Sequence, residues 1–481
     1  MLLGAIPVIV SFAQLLLVGL HGIRNHYRFC QDITPRVAIL VPAWNEGNVI
    51  GTTVDTLMKM EYPDESLKIY VVDDASTDDT PVVLSHKMSQ YPDRVFHLRR
   101  KNGGQGKSHT LNYGLSEILA EEWAEAILIM DADVLFESDA LRKMTRHLAD
   151  PKVGAVTAYI KEGSSPGNLI TRFIAFEYIA AQAAARRAQN VIGVLACMAG
   201  GAQLHTRANL IAIGGKIDTS SLAEDTYTTI ETQLIGNRAL FDGNAVVWAE
   251  EPDSLNGLWK QRMRWARGNL QLTMGFRHLW FHPIRYPGLG GIFFGLLWFS
   301  IVLMPVFMVA ATIGIIGFYF LKPDLALVSF KYFWGVNALI YLFNFVFSVI
   351  IDPHTGRRAW FEGLMFPGLI SILFMILSVL PLKYVLLLNT SLPLQGRHYQ
   401  GSNLLLLFMY SWNSLCMVAA WLVYRLDKLG VPHQLRDAFL LIVGYGPLLC
   451  TITVAAMLSE WRKSELQWDK TEKMGNAKIL K

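Results

Sequence analysis

The residues able to do chemistry in this sequence are acidic pairs that close apolar runs. Asp73 and Asp74 end KIYVVDD, and carboxylates leaving a parallel strand face the crevice at its end, where they accept hydrogen bonds from a nucleobase or ribose. Two aspartates before a helix also suit an Asx-type turn. Asp131-Ala132-Asp133 follows the apolar run AILIM. The intervening residue lets two carboxylates reach one hard divalent cation from a tight loop, and Mg²⁺ or Mn²⁺ takes such oxygen ligands while bridging a diphosphate. Glu224-Asp225 in SSLAEDTYTT opens a helical pattern. An acidic pair there also suits the helix dipole, but a single Asp in a cleft can take the proton of a hydroxyl attacking an activated carbon.

Two further stretches supply what carboxylates do not. RRKNGGQGKSHTLNYG, from Arg99 to Gly114, carries Gly103, Gly104 and Gly106, which permit close backbone approach, and Lys107, a cation for phosphate. It departs from the GxxxxGK[ST] pattern, so its weight comes from lying between the two acidic motifs. In Gln261-Arg262-Met263-Arg264-Trp265, Arg264 offers a planar fork to a diphosphate and Trp265 an apolar face for a sugar ring. A basic aromatic stretch before a membrane also serves as an interfacial anchor.

These residues need elements to hold them. VAILVPAW, KIYVVDD, RVFHL and AILIMDAD read as short strands, with helical patterns between them. Fully apolar strands alternating with helices indicate a parallel sheet covered on both faces, which binds ligands at the carboxyl ends of its strands. Asn45, directly after the first strand, is placed as the N-cap of a helix running to Met60.

The chain has 481 residues, 52% hydrophobic and 17% charged, unevenly distributed. Residues 34–277 have ordinary polarity, and long apolar runs flank them, so a soluble domain is inserted between membrane segments. Residues 1–22 form the first span. The basic residues after it place the domain in the cytoplasm of an integral membrane protein of the plasma or inner membrane. A cleaved signal peptide is the rival, but MLLGAIPVIV lacks a basic start. Five apolar runs between 288 and 458 each suffice for a crossing: Gly291 to Phe320, Tyr332 to Ile351, Leu364 to Leu388, Leu404 to Tyr424 and Ala438 to Leu458. The first of these opens on a possible interfacial helix, and 459–481 is a polar tail. Basic and acidic residues are interspersed at a net charge of +4, which excludes a nucleic-acid footprint. The four cysteines are too far apart for a zinc site or a disulfide framework.

Taken in order, PAWNE, VVDD, DAD, AED and QRMRW resemble the family-2 processive glycosyltransferases, which include the hyaluronan, chitin, cellulose and poly-N-acetylglucosamine synthases. The resemblance covers Val37 to Asn269 with its flanking spans. It implies an α/β GT-A-type (Rossmann-like) domain that polymerises a UDP-activated sugar with inversion, using Mg²⁺ or Mn²⁺, and passes the β-linked chain through the membrane. By resemblance, Glu46, Asp73, Asp74, Lys107, Asp131 and Arg264 bind the donor, and Asp131 and Asp133 hold the metal. Asp225 is the base, and Gln261 and Trp265 meet the acceptor. KVGAVTAYI and the stretch from Leu255 to Gly268 most resemble poly-N-acetylglucosamine synthases. Ala223 stands where many members have Thr, and Ala199-Gly200-Gly201-Ala202-Gln203 lacks the acceptor cysteine of cellulose synthases. The implied partners are the donor, the growing polysaccharide and membrane lipids, with room for accessory export or regulatory subunits. The alternative is transfer of one sugar to a lipid, as in the similar ceramide glucosyltransferases; a catalytically dead interaction partner is disfavoured because every needed carboxylate is present.

Overall fold

A computed structural model describes residues 2–380, 401–464 and 475–480. The chain forms two compact units: Met1–Leu16 with Gly295–Lys463, and Leu17–Phe294 with Ser464–Lys481.

The second unit holds the sheet: β1 (Val37–Ala43), β2 (Leu67–Asp73), β3 (Val95–Arg99), β4 (Ala126–Ile129), β5 (Val134–Phe136), β6 (Val153–Glu162), β7 (Gln203–Thr206) and β8 (Arg238–Ala249). The spatial order is β3-β2-β1-β4-β7-β6-β8-β5. From β3 to β4 all pairs are parallel, as the continuous apolar runs require. Helices Gly47–Leu57, Thr80–Gln90 and Lys107–Ala120 make the crossovers. Leu111, Leu115 and Ile118 of the third of these pack with Leu40, Val72 and Ile127 of the sheet. Beyond β4 the sheet is mixed, because β7 runs antiparallel to both β4 and β6 and β5 runs antiparallel to β8. The expected all-parallel sheet is therefore half the sheet.

Asn45 is not the N-cap expected of it. Its φ is 53°, its side chain accepts the Thr77 N–H at 2.8 Å, and Glu46 holds the cap position of Gly47–Leu57. The left-handed turn lets Asn45 tie β1 to the loop after β2, which a helix cap could not do. The helix also ends at Leu57 rather than Met60.

Residues near the end of the chain return to this unit. Ala477 bridges Ser164 in antiparallel fashion, the Ser165 N–H donates to the Asn476 carbonyl at 3.0 Å, and the Asn476 N–H donates to the Glu250 carboxylate at 2.9 Å. The tail expected as a polar appendage is thus partly a strand-like edge beyond β6. Its residues 465–474 lie outside the described ones.

Helices Met304–Leu321, Pro323–Ile351 and Gly401–Lys428 of the other unit, and Leu2–Ile23, whose residues divide between the two units at Leu16, are long and apolar enough to cross a membrane, and a bent pair, His433–Val443 with Tyr445–Trp461, makes up to five spans among the described residues. Phe330, Trp334, Phe374, Tyr410 and Trp412 form an aromatic core there. The run from Gly291 to Phe320 is two helices, Ile292–Val302 and Met304–Leu321. The run from Ala438 to Leu458 is not one straight crossing, for the pair bends by 89°. Gly444, at φ 105°, lies against the Pro367–Gly368 backbone too closely for any side chain. Of the run from Leu364 to Leu388, the helix Leu369–Val379 is described, and the part beyond Leu380 lies outside the described residues.

Candidate active site

The strand ends present two clusters of opposite electrostatic character. At β2, Asp73 is buried; Oδ1 accepts the Ser76 N–H at 2.7 Å, and Oδ2 lies 3.3 Å from His97 Nε2 and 3.4 Å from Arg99 Nη1. Asp74 accepts the Gly104 N–H at 2.9 Å and pairs with Arg100, whose other nitrogen donates to Gln105 Oε1 at 2.5 Å. A side chain at Gly103 would run into the Asp74 carbonyl, so only glycine lets the loop after β3 lie on the end of β2. The end of β1 is laced to the same place. The Glu46 N–H donates to Thr80 Oγ1 at 2.8 Å and the Gly47 N–H to Asp78 Oδ2 at 3.0 Å.

The second cluster gathers residues from four segments. Lys107, first in its helix, lies 2.5 Å from Asp131 Oδ1 and 3.4 Å from Glu224 Oε1. Burial opposes its charge, but Asp131, Glu224 and Asp225 outweigh that and hold the ammonium well above the ordinary lysine range. Asp225 follows Glu224 in the first turn of helix Glu224–Leu234, and its Oδ1 accepts the Thr226 N–H at 2.7 Å. Burial, and then the like charge of Glu224, push its carboxyl up, against the pull of Lys107. A carboxyl raised this way is a stronger base than an exposed aspartate. Gly200 closes the cluster, since a Cβ there would stand 3.3 Å from both Asp225 Oδ2 and Lys107 Nζ.

Helix Leu255–Gly275 sets the position of the acidic pair. Gly268 lets the helix approach Ala223 until a Cβ would lie 2.6 Å from that residue's own, and Gln271 Oε1 accepts the Leu222 N–H at 3.1 Å. The same helix carries Gln261, Arg264 and Trp265. Gln261 is buried, donating to Glu251 Oε2 at 3.1 Å and accepting from Arg262 at 2.5 Å. Arg262 also reaches Glu177 at 2.8 Å and stacks 4.1 Å from the Trp265 ring. Glu251 accepts the Tyr178 hydroxyl at 2.7 Å. Buried Arg186 joins this network to the acidic one, for Cys197, Asp225 and Tyr178 all act on it.

The structure thus brings Lys107, Asp131 and Asp225 together, keeps Asp73 and Asp74 side by side at β2, and puts Gln261, Arg264 and Trp265 on one helix. Asp133 lies half-buried two residues past Asp131, and Glu46 half-buried at the cap beside the β2 loop. Sequence reasoning missed Arg100, Arg186, Cys197, Gly200 and Glu251. Of these, only the glycine pair in AGGAQ was a visible signal.

A half-parallel, half-mixed sheet whose strand ends carry the acidic pairs is a GT-A-type fold, with several apolar helices fit to associate with a membrane. Residues 35–268 match the family described as Glycosyltransferase like family 2. This part of the chain is a glycosyltransferase family 2 domain.

The chain is similar to the probable glycosyltransferase YdaM of Bacillus subtilis, at 32% identity over 285 residues, 57% of this chain and 66% of that protein. To the beta-monoglucosyldiacylglycerol synthase of Synechocystis sp. it is 32% identical over 242 residues, 50% of this chain and 49% of that one. With a poly-beta-1,6-N-acetyl-D-glucosamine synthase of Staphylococcus epidermidis the identity is 24% over 332 residues, 67% of this chain and 76% of that one. The match spans less than two thirds of the length of the first two relatives.

Proposed function

We propose that the protein is a processive inverting glycosyltransferase that extends a β-linked, N-acetylglucosamine-containing polysaccharide from a UDP-sugar and passes it through the membrane. The observation that carries the chemistry is the cluster of Asp131, Glu224 and Asp225 around Lys107, with Gly200 packed closely against Asp225 and Lys107. Uridine is taken at Asp73 and Asp74. The acceptor hydroxyl attacks the anomeric carbon as Asp225 takes its proton; the new C–O bond forms, the bond to the diphosphate breaks, and UDP leaves with the electron pair. Lys107 and Arg264 bear on the diphosphate, while Trp265, held by Arg262, gives the acceptor sugar an apolar face.

Asp131 and Asp133 suit Mg²⁺ or Mn²⁺. Among the described residues no group of three or more His, Cys, Asp or Glu could hold a metal alone. A carboxylate pair fits an ion that would draw its remaining ligands from diphosphate and water, and the Lys107 ammonium 2.5 Å from Asp131 supports a cation at this position. The ion would neutralise charge developing on the leaving diphosphate.

The polymer reading is supported by the match to the poly-N-acetylglucosamine synthase, which extends over 332 residues and so beyond the 35–268 domain. The similarity to the monoglucosyldiacylglycerol synthase supports a second reading, transfer of one sugar to a lipid. Basic residues after the first span support a cytoplasmic catalytic domain. Purified protein in vesicles, given a panel of UDP-sugars, should form long chains from one donor; a singly glycosylated lipid as sole product overturns the polymer reading.

A further inference from the structure

The segment leaving the N-terminal helix is fastened to the sheet unit by a buried acid. The Tyr27 hydroxyl donates to Asp242 Oδ1 at 3.3 Å, Asn244 Nδ2 donates to the Tyr27 oxygen at 2.5 Å, and the Arg146 guanidinium lies 4.4 Å from the Tyr27 ring centroid. Asp242 also takes His147 at 2.9 Å and Arg146 at 2.8 Å. Asp242 is thereby held by Tyr27, Arg146 and His147, and among the described residues the arginines of this segment, Arg24 and Arg28, make no ion pair with it.

Those arginines line a cavity of about 580 Å³ between residues 21–30, residues 190–193 and the start of β8. Arg24, Arg28 and Arg238 all border it, and the single carboxylate on its wall, Asp150, is engaged by Arg238 at 3.2 Å. Among the described residues Arg24 and Arg28 have no carboxylate partner; Arg24 donates to the Val191 carbonyl at 3.1 Å and Arg28 lies over the Phe29 ring. Burial chiefly, with Arg24, Arg238 and His147 adding to it, keeps the His26 ring below its ordinary pKa. The wall is not wholly polar, since Phe29, Ile192 and Leu240 also border it. A second cavity of about 450 Å³ shares Arg28 and Arg238 and adds Lys152.

Arg24 is the first residue after the candidate span Leu3–Ile23, so this cationic cavity sits in sequence at the point where the chain leaves a membrane. Three guanidinium groups facing one carboxylate, with an apolar flank, match a glycerol phosphodiester that carries no cation of its own. We propose that the cavity binds the phosphate group of an anionic phospholipid. The assignment is independent of the transfer chemistry, because none of its residues belongs to either cluster at the strand ends.

The shared chemistry, a phosphate, could come from a lipid or from solution, and the test separates them. Full-length protein in neutral detergent is titrated with short-chain phosphatidylglycerol, short-chain phosphatidylcholine or inorganic phosphate, following thermal unfolding, and lipid retention is read by native mass spectrometry. Phosphatidylglycerol should stabilise saturably and be retained, and phosphatidylcholine should do neither. Each arginine near a lipid phosphate is worth roughly a fivefold change in affinity, so Arg28→Gln should weaken binding about fivefold and Arg28→Glu more. Arg28 is exposed, so the unliganded melting temperature should hold; Arg24→Gln serves as the second variant. Saturable stabilisation by inorganic phosphate with no phosphatidylglycerol binding would overturn the lipid in favour of a soluble phosphate. Equal binding of the two lipids, or binding unmoved by both arginine variants, would overturn the site.

Discussion

The two acidic clusters at the strand ends are built on opposite principles. At β2 the carboxylate oxygens of Asp73 and Asp74 have designated donors: a backbone N–H and Arg100 for Asp74, and the Ser76 N–H, His97 and Arg99 for Asp73. At the other cluster Lys107 lies between Asp131 and Glu224, and burial, then the like charge of Glu224, raise Asp225 against the pull of that cation. A recognition site gains from saturated hydrogen bonds, which fix its shape before the ligand arrives. A reaction site gains from charge left unbalanced, which a cation, a donor diphosphate or a transferred proton then completes. On the proposed function, the difference would give binding to the first cluster and chemistry to the second.

The sharpest break of that division is removal of the divalent cation. Chelation should stop transfer, and added Mn²⁺ or Mg²⁺ should restore it, with Asp133→Asn losing activity while melting as wild type does. Full turnover in excess chelator would mean that the cluster works without a divalent ion. Next comes Asp225→Asn, which should cost about 10² to 10⁴-fold in kcat and leave UDP affinity near wild type by calorimetry. A variant within about twofold of wild type in kcat would remove the base from Asp225.

Asp74→Asn should give the reverse pattern. Losing the charge from its bonds to Arg100 and the Gly104 N–H should weaken donor binding roughly 10- to 100-fold, seen in KM, with a smaller change in kcat. If instead kcat fell and KM held, the two clusters would not divide as described.

Half of the arrangement was legible in the sequence, and the reason lies in the strands. β1, β2 and β4 are continuous apolar runs buried on both faces, so their carboxyl ends, and with them Asp73, Asp74, Asp131 and Asp133, could be placed by reading. β5 is three residues long and β7 is Gln203-Leu204-His205-Thr206; neither is distinguishable from a loop by pattern, so the mixed half went unseen. Asn45 read as a cap because its side chain suits one, while its positive φ is set by partners across the β1 and β2 ends. The contacts of Arg100, Arg186, Cys197 and Gly200 join segments distant in sequence, which spacing does not encode. The bend at Gly444 did leave a trace in Gly444-Tyr445-Gly446-Pro447, a breaker string inside an apolar run.

Trp265→Ala tests whether the acceptor end stands apart from both clusters. The ring is braced by Arg262, itself fixed by Gln261 and Glu177, so truncation should remove a sugar platform without disturbing the strand ends. Aromatic contact of this kind is worth about 0.5–1.5 kcal/mol, which predicts shorter chains and a roughly 2- to 10-fold loss in acceptor engagement with UDP affinity unchanged. Normal chain lengths from the variant would leave the enzyme a polymerase but move its acceptor site elsewhere.

The smallest effect probes the charge imbalance itself. The Cys197 thiol donates to the Met198 carbonyl at 3.0 Å and lies beside the Asp225 carboxyl, whose ionised form it favours in the same direction as Lys107 and against burial and Glu224. Burial, and then Asp225, in turn push the thiol up, so Cys197 stays protonated and remains a donor through the neutral range. Cys197→Ala removes the thiol from beside Asp225, together with its bond to the Met198 carbonyl, so Asp225 should become harder to ionise. A base works only when ionised, and activity is lost as pH falls through its pKa; the acid limb of the kcat profile should therefore move to higher pH, with the plateau kept within about twofold. Lys107→Gln should move the limb the same way and further, because a full charge is removed, and should lower the plateau as well through the lost pair with Asp131. A limb that stays put in Cys197→Ala but moves in Lys107→Gln would leave the imbalance intact and make the thiol a bystander. A limb that moves to lower pH in both would mean that the group titrating in catalysis is not Asp225, and that the contrast between the clusters does not set the chemistry.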